Sequence, residues 1–277
     1  SDVCSSDLTL DGIEQIERQL VATGIGSTVL AEDESRPNVE GNAGNILVNA
    51  GTFSLTNGAL VASTSDGKGN AGNITIATEG AISLSGSRLF NLSDGNGNSI
   101  ALTRTPIISA SLGATALSRG GNLSISGDSL TLEDSAQLST VTSVRQRDDD
   151  TSSDAGNVNI NVRDFVMASG GSQIRSNTTG QGHAGNLSIT AGNDVSLDGV
   201  AFLNGTLLPT GLGSSVRQDN PEAGLIGRGN AGNVFINTGD FSLTNGALIE
   251  SATFSQGNAG NVTVNASGDI ELSGSPI

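Results

Sequence analysis

A Gly-Asn pair followed by a short apolar alternation recurs seven times, at Gly44-Asn45, Gly72-Asn73, Gly121-Asn122, Gly156-Asn157, Gly185-Asn186, Gly232-Asn233 and Gly260-Asn261. Five copies sit in the fuller phrase GNAGN or GHAGN, at 41–45, 69–73, 182–186, 229–233 and 257–261. Successive Asn residues lie 28, 49, 35, 29, 47 and 28 positions apart. A phrase returning at this period marks a stacked-repeat architecture, in which no unit buries its apolar face without its neighbours. The shortest step is one basic unit, and the longer ones carry insertions.

The units come in two kinds. The first reads TFSLTNGALVAST at 52–64 and DFSLTNGALIESA at 240–252, with looser copies at 128–140 and 164–176. The second carries AISLSGS at 81–87, DVSLDGV at 194–200 and DIELSGS at 269–275. Near the N-terminus, Ile13, Ile16 and Leu20 recur at helical spacing, which leaves a short helix open there. Internal comparison carries more weight. DLTLDGI at 7–13 matches DVSLDGV at 194–200, and at the same offset TGIGSTV at 23–29 matches TGLGSSV at 210–216. Residues 7–45 are therefore a unit of the second kind with an insertion. Residues 1–6, which hold Cys4, have no counterpart and could be foreign to the repeat.

After each Asn, apolar residues alternate, as in Ile46/Val48, Ile74/Ile76, Leu123/Ile125 and Val158/Ile160. A period of two means a strand with one buried face. A second pair follows, as in Phe53/Leu55, Ile82/Leu84, Phe165/Met167 and Ile270/Leu272. A third strand follows in the first kind of unit, with Ala59/Val61 and Ala247/Ile249 inward. Three short strands per unit predict an all-β fold: a right-handed parallel β-helix of about seven to eight three-strand coils, with longer loops inserted in some coils. Residues 7–277 then form a single β-helical domain. Both ends lack an evident cap, so the chain reads as an internal fragment of a longer filament. The glycines are expected where the backbone needs positive φ. Stacked at one corner, Asn45, Asn73, Asn122, Asn157, Asn186, Asn233 and Asn261 are expected to form an amide ladder.

The formal net charge of −16, from 28 acids and 12 bases, argues against nucleic acid as a partner, since that needs clustered Lys and Arg. No apolar run is long enough to span a bilayer as a helix, so no membrane insertion is expected. One Cys makes no internal disulfide.

The alternating units GNAGNITIATEGAISLSGS and GNAGNVFINTGDFSLTNGALIESAT resemble the repeat region of filamentous haemagglutinin-like exoproteins, cyanobacterial members above all, over nearly the whole of 7–277. The resemblance implies a secreted, cell-surface-associated protein of a Gram-negative bacterium, exported through an outer-membrane secretion barrel by two-partner secretion. It implies adhesion or aggregation on a host-cell or environmental glycan or protein surface. The family's secretion domain has Asn-Pro signatures. The one Asn-Pro here, Asn220-Pro221, sits in an insertion and does not match them.

Motifs that suggest chemistry fit the repeat better. G-x-G-x-x-G occurs at Gly67, Gly180 and Gly227, but before strands, where a dinucleotide site needs a helix. Asp94-Gly95-Asn96-Gly97-Asn98 opens like a calcium loop, yet Ser99 and Thr105 stand where an EF-hand needs Gly and Glu. Asp148-Asp149-Asp150, in the extra turn of the 35-residue unit and flanked by Arg145 and Arg147, reads as a solvated loop. Asn-x-Ser/Thr at Asn73, Asn122, Asn186 and Asn261 falls on ladder positions. His183 stands at the second position of its phrase, where other copies have Asn. No metal, cofactor or catalytic residue is assigned, and no enzyme activity is expected. The alternatives are a passive stalk presenting a terminal effector or toxin domain, and a polysaccharide lyase or glycosidase. The acids Glu79, Asp128, Asp164, Asp194, Asp240 and Asp269 recur before the second strand, as a turn stripe would, and a chain without Trp or Tyr has few sugar platforms.

The insertions are left. Residues 85–118 and 198–228 interrupt their units with less regular sequence, and loops on a rigid scaffold are where binding usually sits. The candidate ligand contacts are Arg88, Phe90, Arg104, Phe202, Leu207, Leu208 and Arg217. On this reading, deleting 88–110 and 203–225 removes adhesion and leaves the rod folded.

Overall fold

The computed structural model describes residues 6–16, 19–29, 39–66, 69–93, 99–114, 118–144, 153–167, 170–203, 205–217 and 227–274. Cys4, the loops at 94–98 and 148–150, and Asn220-Pro221 lie outside them. Every described element is a β-strand. Among the described residues no helix is long and apolar enough to cross a membrane.

The strands stand in three ranks. The first rank follows the Gly-Asn phrases: Ile46–Ala50, Ile74–Thr78, the opening half of Leu123–Leu132, the opening half of Val158–Met167, Leu187–Ala191, Val234–Thr238 and Val262–Ala266. Each pairs in parallel with its equivalent in the next repeat. The register runs Ile46 to Ile74, Leu123, Val158, Leu187, Val234 and Val262. The second rank begins with Leu8–Asp11, Phe53–Thr56 and Ala81–Ser85 and ends with Asp194–Asp198, Asp240–Thr244 and Ile270–Ser273. The third contains Gly24–Val29, Leu60–Ser65, Ile107–Ala114, Gln137–Val144, Gln173–Thr179, Gly211–Arg217 and Leu248–Thr253. This is an all-β fold of stacked parallel strands, as in a β-solenoid.

The ranks make two large sheets, not three. First and second ranks share one 13-stranded sheet, and the third is a separate 7-stranded sheet. The reason shows at 123–132 and 158–167, where the chain stays extended from one rank into the next and forms a single 10-residue strand.

The corner between second and third ranks separates the two kinds of repeat. In the first kind it is a two-residue left-handed turn: Asn57 (φ 52°) with Gly58 (φ 84°), and Asn245 (φ 50°) with Gly246 (φ 87°). Ala59 N donates to Thr56 O and Ala247 N to Thr244 O, both at 3.0 Å, closing a tight turn of the primed type. In the second kind, one left-handed Gly (Gly12, Gly86 or Gly199) leads into an antiparallel hairpin. The hairpins are Ile13–Ile16 with Gln19–Ala22, Arg88–Ser93 with Ser99–Arg104, and Val200–Leu203 with Thr206–Pro209.

Two expectations are corrected here. The helical spacing of Ile13, Ile16 and Leu20 belongs to a hairpin, in which Ile13 pairs with Ala22 across the strands. Four residues per strand are too few for a two-residue period to outweigh a chance helical one. The insertions are also narrower than 85–118 and 198–228. Ile107–Ala114 and Gly211–Arg217 are third-rank strands, with Ile108, Ala110 and Leu212 in the core. Deleting 88–110 or 203–225 would cut a rung from the stack.

The interior is filled by the alternating residues of all three ranks. Ile74, Ile76, Phe53, Leu55, Val61, Leu130 and Leu138 are buried, as are Phe165, Ile174 and Leu197. Each such side chain contributes about 1.5–3 kcal/mol by leaving water. That contribution needs a neighbour on both sides. In the last rung Ile270 is 55% and Leu272 68% exposed, although both occupy inward positions.

Candidate functional site

The repeated corner builds upward from backbone contacts. A Cβ on Gly72 would stand 2.1 Å from Gly44 O. One on Gly121 would stand 1.9 Å from Gly72 O, and one on Gly185 2.1 Å from Gly156 O. No heavy atoms fit at such distances, so Gly is required there by the repeat beneath. The expectation that these glycines serve positive φ holds for the phrase's first Gly, as at Gly69 (φ 143°). It fails for the second, which has no positive φ.

Beside each of these glycines, the Asn side chain accepts from the next repeat's backbone. Asn73 N donates to Asn45 Oδ1, Asn157 N to Asn122 Oδ1, Asn186 N to Asn157 Oδ1, Asn233 N to Asn186 Oδ1 and Asn261 N to Asn233 Oδ1, all at 2.8 Å, and Asn122 N to Asn73 Oδ1 at 2.9 Å. Side-chain to side-chain bonds are a minor part, as with Asn122 Nδ2 to Asn73 Oδ1 at 3.1 Å. A second ladder three residues earlier joins Asn42 to Asn70 and Asn230 to Asn258. His183 takes an Asn place in it. Its Nδ1 accepts from Asn230 N at 2.9 Å, and its own N–H donates to Asp154 Oδ1.

A third series was not legible beforehand. Ser63, Ser176 and Ser214 face inward from the third rank and are fully buried. Ser214 Oγ donates to Gly185 O at 2.9 Å and accepts from Gly232 N at 2.8 Å, so it ties two successive corners together. Ser63 does the same for Gly44 and Gly72, and Ser176 for Gly156 and Gly185. The signal was a hydroxyl residue at a fixed inward place in the third strands, broken at Ala110, which pairs with Ser63 in register.

Asp164, Asp194, Asp240 and Asp269 follow one register line through successive repeats, and Asp128 stands one residue off it, opposite Arg163. Arg163 bridges Asp128 at 2.9 Å and Asp164 at 3.1 Å. Hydrogen bonds from Asn193 and then Arg163 hold the Asp164 carboxyl below the usual carboxylate value. At the hairpin corner, Thr56 and Asn57 donate to Asp11, and Thr244 and Asn245 donate to Asp198. The Thr56 and Asn57 bonds lower the Asp11 carboxyl. Among the described residues, no group of three His, Cys, Asp or Glu is placed to hold a metal.

The seven candidate contact residues fall into two places. Arg88 and Arg104 face each other across the second hairpin. Arg88 Nη1 donates to Ile13 O at 2.7 Å, and its guanidinium lies 5.4 Å from the centre of the Phe90 ring. Phe90 is buried, and Arg104 Cβ packs beside Gly58. This group joins two hairpins across the turn between them. Phe202, Leu207 and Leu208 lie on the third hairpin. Phe202 pairs with Leu207 across the strands, and they are 74% and 54% exposed. Arg217 ends a core strand next to that hairpin. It stacks over Phe254 at 5.0 Å and approaches Glu250 at 3.9 Å. Leu207, Leu208, Arg217 and Glu250 line a cleft of about 220 Å³ floored by Gly211 and Gly213. Its remaining charged wall is Arg175, a residue absent from the candidate contacts. Burial first, and then the neighbouring Arg217, pull Arg175 below the ordinary arginine value.

Compared with protein-family profiles, curated proteins and solved structures, the chain matches none.

Proposed function

We propose that this chain is a segment of a secreted or surface-exposed filamentous adhesin, built as a right-handed parallel β-helix of seven to eight coils. It attaches to a cell, glycan or protein surface without consuming it. Right-handedness follows from the crossover rule for parallel strands. The observation that carries the attachment reading is the placement of the departures from the repeat. The Gly, Asn and Ser contacts recur from repeat to repeat, while exposed apolar side chains such as Leu89, Phe202 and Leu207 project on hairpins from a single corner. A rigid frame with variable arms at one place suits recognition. Export through an outer-membrane secretion barrel, and a location on the outside of a Gram-negative cell, belong to the same proposal and rest on the resemblance of the repeats.

The passive-stalk reading is favoured by one observation. Ile13 and Phe90 are buried where the first two hairpins meet, so those arms also serve packing. The two readings separate in one experiment. Residues 198–210 are replaced by the Thr-Asn-Gly-Ala turn of the other repeats, and cell and glycan-surface attachment is measured beside the melting temperature. The adhesin reading expects attachment to fall with melting unchanged. Unchanged attachment would leave the stalk.

A further inference from the structure

Arg175, Gly213 and Glu250 are in register on three successive strands of the third sheet, on its outer face. Gly213 puts no side chain between the other two. A Cβ there would stand 3.3 Å from Glu250 Cγ, so any larger residue would fill the gap. The third hairpin supplies an apolar wall from Leu207 and Leu208, and its base is pinned by Gln173 Nε2 donating to Pro209 O at 3.2 Å. Arg217, steadied by Phe254 and Glu250, closes the far side.

The charges are the informative part. Arg175 is half-buried and has no hydrogen-bond or ion-pair partner among the described residues. A guanidinium does not shed its proton, and a partly desolvated one is costly when the carboxylate that favours it, here Glu250, forms no ion pair with it. Here a second guanidinium faces the same cleft, on a chain whose net charge is −16. Two arginines and one glutamate leave a local charge of one positive unit. That suits a monoanion whose hydroxyls can donate to Glu250, and it disfavours a dianion. The volume of about 220 Å³ admits one sugar ring.

We propose that this cleft binds a sugar carboxylate, one uronic-acid residue of an acidic glycan. The carboxylate meets Arg175 and Arg217, the ring hydroxyls meet Glu250, and the ring face lies against Leu207. The proposal rests on the attachment reading above and names the ligand class for it.

The test is calorimetric titration of the whole chain with trigalacturonate, its methyl ester and inorganic phosphate, alongside cell attachment. Trigalacturonate should bind at least tenfold more tightly than the ester or phosphate. Arg175→Gln and Arg217→Gln should each weaken it about tenfold or more, as losing a charge-assisted hydrogen bond does. Gly213→Val keeps every charge and fills the cleft, and it should abolish binding while the circular dichroism stays that of the wild type. Equal binding of the ester or phosphate, or arginine variants that bind like the wild type, would overturn the proposal. Attachment without carboxylate preference sinks the cleft and spares the adhesin. Arginine-dependent binding of trigalacturonate without attachment does the reverse.

Discussion

In the hairpin-bearing repeat near the N-terminus, Thr23 N donates to Gly12 O at 3.0 Å and Gly12 N to Thr56 O at 3.1 Å. In its counterpart, Thr210 N donates to Gly199 O at 3.0 Å and Gly199 N to Thr244 O at 3.1 Å. The following turn repeats as well, with Asn57 N on Ser85 O and Asn245 N on Ser273 O. Asp11 clamps Thr56 and Asn57 as Asp198 clamps Thr244 and Asn245. The surfaces then part company. Glu250 stands where the earlier copy has Ala62, since both pair with the second glycine of their strand, Gly213 and Gly26. The first hairpin is bonded to a second one through Arg88, while the third exposes Phe202. Stacking contacts are set by the neighbour's backbone and tolerate little change. Outward positions carry no such demand, and that is where the two copies differ.

The comparison can be broken most forcefully at the flat glycines. A Cβ on Gly211 would lie 2.4 Å from Leu248 O, and one on Gly24 2.3 Å from Leu60 O. Gly211→Ala should cost about 4 kcal/mol or more in chemical denaturation, because strands press on it from both sides. Gly24→Ala should cost less, since among the described residues its strand pairs on one side alone and can fray. Equal costs would mean that the edge strand is held as firmly as the interior one, against the pairing on one side alone.

The next effect lies in the buried hydroxyls. Ser214→Ala strands a buried carbonyl and a buried N–H, so a loss of about 2–4 kcal/mol is expected. Ser27 makes one such bond, from Gly44 N at 2.8 Å, and Ser27→Ala should cost about 1 kcal/mol. Denaturation midpoints of the two variants decide it.

Acid sharpens the comparison further. The Asp11 carboxyl lies below its ordinary value of 3.8, because Thr56 and Asn57 donate to the ionised form. A depressed folded value gives stability that is present above about pH 4 and lost as pH falls through that folded value. The melting difference between wild type and Asp11→Asn should therefore be present at neutral pH and shrink in strong acid. A difference that grows in acid would contradict the clamp. The smallest effect is at His183, whose Nδ1 replaces an Asn carbonyl. His183→Asn should stabilise by a few tenths of a kcal/mol in a thermal melt, and a loss would show that the ladder does not treat the two acceptors alike.

Much of this frame was readable because strand alternation has a period of two and the Gly-Asn phrase marks each first strand. The rest depends on register. Gly72 needs to be Gly because of Gly44 O, and nothing local to Gly72 says so. Ser214 in a strand reads as an outward polar residue until the corner above and below it is known. Ile13 and Arg88 lie far apart in sequence and are bonded only because one turn sits between their hairpins. Arg175, Gly213 and Glu250 come from three separate repeats, so the cleft exists only after stacking, and Arg175 carried no signal of its own.

The most direct test of the stacked register uses cysteine pairs on the outer face of the first rank, in a Cys4→Ser background. Asn159 and Ser188 are paired in register, which sets their Cα atoms about 5 Å apart, whereas Asn159 and Thr190 are offset by two residues and stand about 8 Å apart. Under mild oxidation Asn159→Cys with Ser188→Cys should form a disulfide rapidly, and Asn159→Cys with Thr190→Cys should not. Preferential crosslinking of the offset pair, or of neither, would contradict the parallel stack on which everything above depends.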